Sequence, residues 1–399
     1  MASTKLDIVF EGGGAKGLAL TGAVVALEDA GYGFGRLIGT SAGAITATLT
    51  AAGYSAAELR AVALEKAPSG ASRMTDFIGT PRGFTDQDLL ASTLGRFLQA
   101  IEIPFVPEAV EQRADLWLLR RLIHFDSFAH VFSFIENGGL FSADGFLAWL
   151  RERLDAGGRG MSGLTMKQFH EKTGRHLSLV VTDISRTGFL VLNHVTAPDV
   201  PLLWAVRMSM SIPFFWPEVI WRKEWGNYRV TRQVEGDAIV DGGVVSNFAL
   251  RFLVSDEDWI VDIMGGPPHP ETQVLGLWLD DDTPVHNAPP PTDLAHMIDL
   301  SKIHFKTLDR IERVLNAALS ANDQVELRNH KALVCKLPVG GYGVTEFNMS
   351  PERIEALVNA GAEAMKGWLS QHGAPTMVSA AQLALRTGTD VGASAAIPR

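Results

Sequence analysis

A serine set between glycines is where this chain first concentrates chemistry: Gly39-Thr40-Ser41-Ala42-Gly43 follows an apolar run and precedes a stretch of small residues. Glycines two before and two after a serine remove the Cβ clashes of a sharp strand-to-helix turn, so the hydroxyl stands exposed as in a nucleophile elbow. By itself the pattern fits a serine N-cap equally well. Earlier in the chain, Gly12-Gly13-Gly14-Ala15-Lys16-Gly17 leaves successive backbone N–H groups unobstructed at a helix start, a concavity suited to a phosphate or a transition-state oxyanion. Gly12, Gly14 and Gly17 satisfy the dinucleotide pattern G-x-G-x-x-G literally. The next strand, however, ends in Ile38-Gly39-Thr40, with no carboxylate for a ribose hydroxyl. Gly17 is followed by Leu18-Ala19 rather than Lys and Ser or Thr, so a Walker-type phosphate loop fails as well. An oxyanion hole beside a nucleophile remains. Acyl transfer also needs a base. The 11 histidines fall in no recognisable motif, whereas Asp241 in Ala238-Ile239-Val240-Asp241-Gly242-Gly243 ends an apolar run and is followed by two glycines. Taken alone, Asp-Gly-Gly is a turn signal.

These residues need a scaffold. Residues 6–53 read as two consecutive strand-turn-helix units, with helices over 18–30 and 44–52 closed by Gly31 and Gly53, and a short strand at 36–38. A helical crossover between strands makes a right-handed βαβ unit, so both glycine turns belong on one edge of a parallel sheet. Helical stretches at 55–66 and 87–100, broken by Gly/Pro joints, read as an insertion over about 54–135. Within it, Phe105, Trp117, Leu118, Leu119, Phe125, Phe128 and Phe132 interleave with Arg113, Arg120 and Arg121. That composition suits an interfacial lid, and equally a buried stripe. Further along come a helix within 139–154, a strand pair at 177–182 and 188–193, and a helix at 200–210. A strand at 233–240 then reaches Asp241, followed by a strand at 275–279 and helical character over 293–328.

Together the glycine loop with Lys16, the G-T-S-A-G elbow and the D-G-G turn resemble the patatin-like phospholipases. The segment Ser209-Met210-Ser211-Ile212-Pro213-Phe214-Phe215-Trp216-Pro217 and the run Asp241 to Asn247 resemble two further blocks of that family, so the likeness covers residues 6–250. Trp216 stands where phenylalanine is usual and Phe248 where proline is common. The resemblance implies a three-layer α/β/α fold around a mostly parallel sheet, with a helical insertion and a helical C-terminal region. It implies a Ser-Asp dyad, Ser41 as nucleophile and Asp241 as proton acceptor. It also implies an oxyanion hole from Gly12, Gly13 and Gly14, supported by Lys16, Gly17, Gly39, Gly43, Gly242 and Gly243. The expected activity is a phospholipase A type lipid acyl-hydrolase needing no cofactor and no metal. The alternatives are an acyltransferase using the same serine and a non-catalytic lipid- or nucleotide-sensing module.

Bulk properties bound the partners. The 399 residues carry 46% hydrophobic positions and a formal net charge of −10, which argues against nucleic acid and restricts any contact with anionic membrane to local features. The single cysteine, Cys335, excludes an internal disulfide. No apolar run approaches the length of a membrane span and no signal peptide precedes the first strand, so a cytoplasmic location with peripheral membrane contact is expected. A single catalytic domain is expected over 1–375, with core 6–250, an extension over about 250–375 and a poorly ordered tail over 376–399. The extension leaves room for an activator protein or second messenger.

Overall fold

The computed structural model describes residues 5–100, 108–268, 272–291 and 323–372. The tail, Phe105 and most of the stretch expected to be helical over 293–328 lie outside these residues. The chain folds into helices packed on both faces of a mixed, mostly parallel sheet. Its strands are β1 (Lys5–Phe10), β2 (Gly33–Thr40), β3 (His176–Asp183), β4 (Gly188–Leu192), β5 (Val219–Ile220), β6 (Ala238–Asp241), β7 (Gln273–Pro284) and β8 (Val334–Gly340). Hydrogen-bonded neighbours follow the order β5-β6-β3-β2-β1-β7-β8, with β4 also beside β3. Strand alternation divides the apolar residues between the two faces. Leu6, Ile8, Phe10, Leu37, Leu179 and Val181 enter the larger core. Val9, Ile38 and Val180 face the smaller one, under the helices Arg251–Val254 and Asp258–Met264.

One register detail positions the chemistry. The parallel partner β2 follows β3 as far as Thr40 opposite Val180, and antiparallel β6 takes over with Asp241 opposite Val181. Because β4 pairs with residues 179–183 of β3 and overlaps both, β2 and β6 must share the other edge and meet end to end. The residues following Thr40 and ending β6 are therefore brought together although 200 positions separate them in sequence.

The first larger-core helices are α1 (Leu18–Asp29) and α2 (Ala42–Ala51). The C-terminal helix Pro351–His372, in the region expected to be helical, packs along α1. A Cβ on Gly22 would lie 1.9 Å from the Val358 carbonyl oxygen, and one on Gly361 would lie 2.0 Å from that of Ala19. The two helices thus touch backbone to backbone. The expected insertion is helical, but the stretch 87–100 divides into Asp86–Ala91 and Thr93–Gln99, because Ser92 turns extended and its hydroxyl caps Gly95 N–H. Its aromatic stripe also divides. Leu119 and Phe132 join Leu89 in a small separate core, while Trp117 and Phe125 are 67% and 60% exposed.

Candidate active site

Ser41 sits where β2 turns into α2, with φ 53° and ψ −123°, a conformation that a residue bearing a side chain adopts only when its surroundings force it. The flanking glycines permit the turn. A Cβ at Gly39 would fall 2.4 Å from the Gly43 carbonyl oxygen, and one at Gly43 would fall 2.3 Å from that of Phe10. Ser41 N–H donates to Ser209 Oγ at 3.1 Å, and the Ser209 hydroxyl donates to Val180 O at 2.7 Å, tying the elbow to β3. The serine lies at the N-terminus of α2, where the helix dipole favours developing negative charge.

Asp241 closes β6 and is almost wholly buried. Its N–H donates to Ser211 O at 2.9 Å, its Oδ1 accepts from Gly243 N–H at 2.8 Å, and the Ser211 hydroxyl is held by the buried Arg207 guanidinium. Oδ2 is buried with no partner of full hydrogen-bond geometry, although the Ser41 hydroxyl is close enough to act on the carboxyl as a donor. Burial pushes the Asp241 pKa up to about 7, against the opposing pull of Ser41 and Gly243. A carboxyl in that range, next to a serine, has the basicity that general-base chemistry near neutrality requires.

The glycine loop lies against this pair, since a Cβ on Gly12 would sit 3.0 Å from Ser41 Cβ and 2.1 Å from Asn247 Oδ1. Its three amides differ. Gly12 N–H donates to Asn247 O at 3.2 Å, while Asn247 Nδ2 donates to Gly12 O at 2.9 Å, so this peptide is clasped by the end of the D-G-G segment. The N–H groups of Gly13 and Gly14 have no acceptor among the described residues, and Gly14 adopts φ +53° under the Val344 carbonyl. Gly17 makes room for Ala42, 2.3 Å from where a Cβ would project, and Gly242 does the same for Val180 O at 2.3 Å. Lys16 is buried and paired with Asp281 at 2.5 Å. Ser209, Ser211, Arg207 and Asn247 were not expected to serve the site. The only sequence signal for Ser209, Ser211 and Asn247 was their presence in the Ser-rich and D-G-G blocks, and Arg207 lies outside both.

Two cavities meet at Ser41. One, of about 840 Å³ with its open mouth, is walled by Leu18, Ile45, Leu49, Leu59, Met74 and Phe77 and is predominantly apolar. The other borders Gly12, Gly13, Gly14 and Asp241 and is more polar than the first, with Lys16, Asp280, Asp281 and Asp282 around it. Among the described residues, no helix is long and apolar enough to cross a membrane.

"Uncharacterized protein YqhO" of Bacillus subtilis is 26% identical over 374 residues, covering 92% of this chain and 98% of its own length. "Probable lipid hydrolase 463L" of Invertebrate iridescent virus 6 is 23% identical over 136 residues, 32% of this chain and 42% of that protein. Among solved structures, VipD from Legionella pneumophila aligns with TM-score 0.44 and 17% identity over 93% of this chain and 67% of VipD. The type III effector ExoU of Pseudomonas aeruginosa aligns with TM-score 0.37 and 17% identity, covering 92% of this chain and 53% of ExoU. A family model described as Patatin-like phospholipase matches residues 8–254, a span that takes in the glycine loop, the elbow, the Ser-rich block and the D-G-G turn. With more than half of its length matched, the chain belongs to the patatin-like phospholipase family.

Proposed function

We propose that this protein is a phospholipase A type acyl-hydrolase acting through a Ser41–Asp241 dyad. The observation that carries the reading is the unpartnered, buried Asp241 Oδ2 beside the hydroxyl of a serine held on a strained elbow. In the acylation step Asp241 accepts the Ser41 proton while Oγ attacks the ester carbonyl carbon. Negative charge moves to the carbonyl oxygen, where the N–H groups of Gly13 and Gly14 and the N-terminus of α2 stabilise it. Gly12 supports the loop rather than donating, because its amide is already bonded to Asn247 O. Collapse of the tetrahedral species passes the proton to the departing alkoxide and leaves an acyl-Ser41 ester. Asp241 then deprotonates a water for the reverse sequence, which frees the fatty acid. A single oxyanion donor contributes roughly 2.7–4 kcal/mol in comparable sites.

The apolar cavity suits the acyl chain and the more polar one the glycerol portion of the ester, with Ser41 at their junction. Because β7 pairs with β1 and β8 with β7, both beyond the family match, we propose that the catalytic unit extends through residue 372. A fluorophosphonate probe tests the nucleophile. Mass spectrometry is expected to place one adduct on Ser41, with none formed in Ser41→Ala. An adduct elsewhere with Ser41 unmodified would contradict the assignment.

A further inference from the structure

At the far end of β3 from the elbow, three histidines from three segments converge. His170 comes from the helix Met166–Thr173, His176 opens β3, and His194 follows β4. One ring nitrogen from each lies within 4.8 Å of those from the other two. The His170 and His194 rings stack with centroids 3.7 Å apart, and His176 stands edge-on to both, at 4.7 and 5.2 Å. Asp241 pairs with Val181, five residues along β3 from His176, so at about 3.3 Å per residue the cluster lies roughly 16 Å from the dyad.

Packed histidines are ordinarily satisfied by hydrogen bonds, and two features set these apart. His170 Nδ1 lies 2.8 Å from the Arg175 carbonyl oxygen. A carbonyl only accepts, so Nδ1 carries the proton and Nε2 is left with a free lone pair. A histidine fixed through one nitrogen by a backbone carbonyl is the arrangement in which the other nitrogen ligates a metal. His194 Nδ1 is buried and has no hydrogen-bond partner. Such an atom is costly to bury unless something completes it.

We propose that His170, His176 and His194 form a binding site for a borderline divalent transition ion, zinc foremost, that clips the helix Met166–Thr173 and the β4 exit to the start of β3. Three imidazoles leave a fourth, water-filled position, and a set with nitrogen donors and no carboxylate selects zinc, copper or nickel over magnesium or calcium. The Arg36 guanidinium, the nearby cation acting on His176, is occupied by the carbonyls of Gly266 and Pro267 at 3.3 and 2.7 Å. Bonds of about 2.0–2.1 Å around a tetrahedral ion require nitrogens closer than they now stand, which the soft ring torsions of the stacked pair supply.

Chelator-treated full-length protein is titrated with Zn²⁺ by calorimetry, and with Co²⁺ as a visible-absorbing substitute. One Zn²⁺ per chain is expected, together with a Co²⁺ spectrum of nitrogen ligation and a thermal midpoint raised by Zn²⁺. His176 is exposed, so His176→Ala is expected to fold normally while weakening Zn²⁺ at least about tenfold and abolishing the thermal shift. His372→Ala, at the end of the C-terminal helix, is expected to leave all three readouts unchanged. Stoichiometric binding that survives in His176→Ala, or no Zn²⁺ binding and no nitrogen-ligated Co²⁺ spectrum in the wild type, would overturn the proposal.

Discussion

Asp241 carries the electrostatic burden of the dyad. Its carboxyl is desolvated by the core and receives only one full hydrogen bond, from Gly243, so its charged form is disfavoured and its pKa rises from 3.8 to about 7. A base must be ionised to act, so kcat/KM is expected to climb as the pH passes through about 7 and then level off. A profile already at its plateau near pH 5 would contradict this. The same shift bears on stability. Below about pH 4 the carboxyl is protonated in both states. Between about 4 and 7 the native state alone keeps the proton, so stability falls with rising pH by roughly 4 kcal/mol from this group. Asp241→Asn removes that slope, so its melting temperature is expected to gain on the wild type as pH rises from 4 to 8. Ser41 and Asp241 both stood out in the sequence because glycines of the kind a tight turn needs flank the first and follow the second. The division among the loop amides was not, because Gly12 is spent on Asn247, a partner 235 positions away.

The elements show why local reading stops where it does. The two βα units and both of their glycine turns follow from local periodicity and caps, and the structure places them as expected, with β2 longer than foreseen at Gly33–Thr40. The strand leading to Asp241 is instead shorter, Ala238–Asp241, because Gly236 turns the chain at φ +80° just before it. Two-residue β5 and the edge strand β8 were not legible, since their strand character depends on neighbours far away in sequence, whereas the C-terminal region was legible as helical but without the bounds of its long helix. The helix Pro351–His372 is defined by its contact with α1, where Gly22 and Gly361 allow backbone to meet backbone. Gly361→Leu is expected to force the pair apart, lowering stability by about 1–3 kcal/mol in denaturant titration while the Ser41 probe still reacts with the folded fraction. An unchanged midpoint would show that the crossing is not close-packed.

For the whole molecule, the sum of charges and the distribution of apolar surface pull in different directions. A net charge of −10 repels anionic bilayers at long range. The cap nonetheless presents Phe97, Trp117 and Phe125 to solvent at 60–67% exposure, with Arg113 and Arg121 exposed among them. Arg120 is already engaged by Asp86, so its charge is not available in the same way. If this face meets lipid, Trp117→Ala with Phe125→Ala is expected to weaken sedimentation with liposomes several-fold while hydrolysis of a short soluble ester is unaffected. Equal loss in both assays would assign the residues to the fold instead. The architecture thus joins a sheet-edge dyad to an apolar cavity and a more polar one, with a small separate core in the helical insertion. The most direct test of the central claim is fatty-acid release from phospholipid vesicles, followed by mass spectrometry, for wild type, Ser41→Ala and Asp241→Asn at matched folded concentrations. The wild type is expected to release fatty acid and each variant to fall at least ~100-fold. Release by Asp241→Asn at the wild-type rate would contradict the dyad.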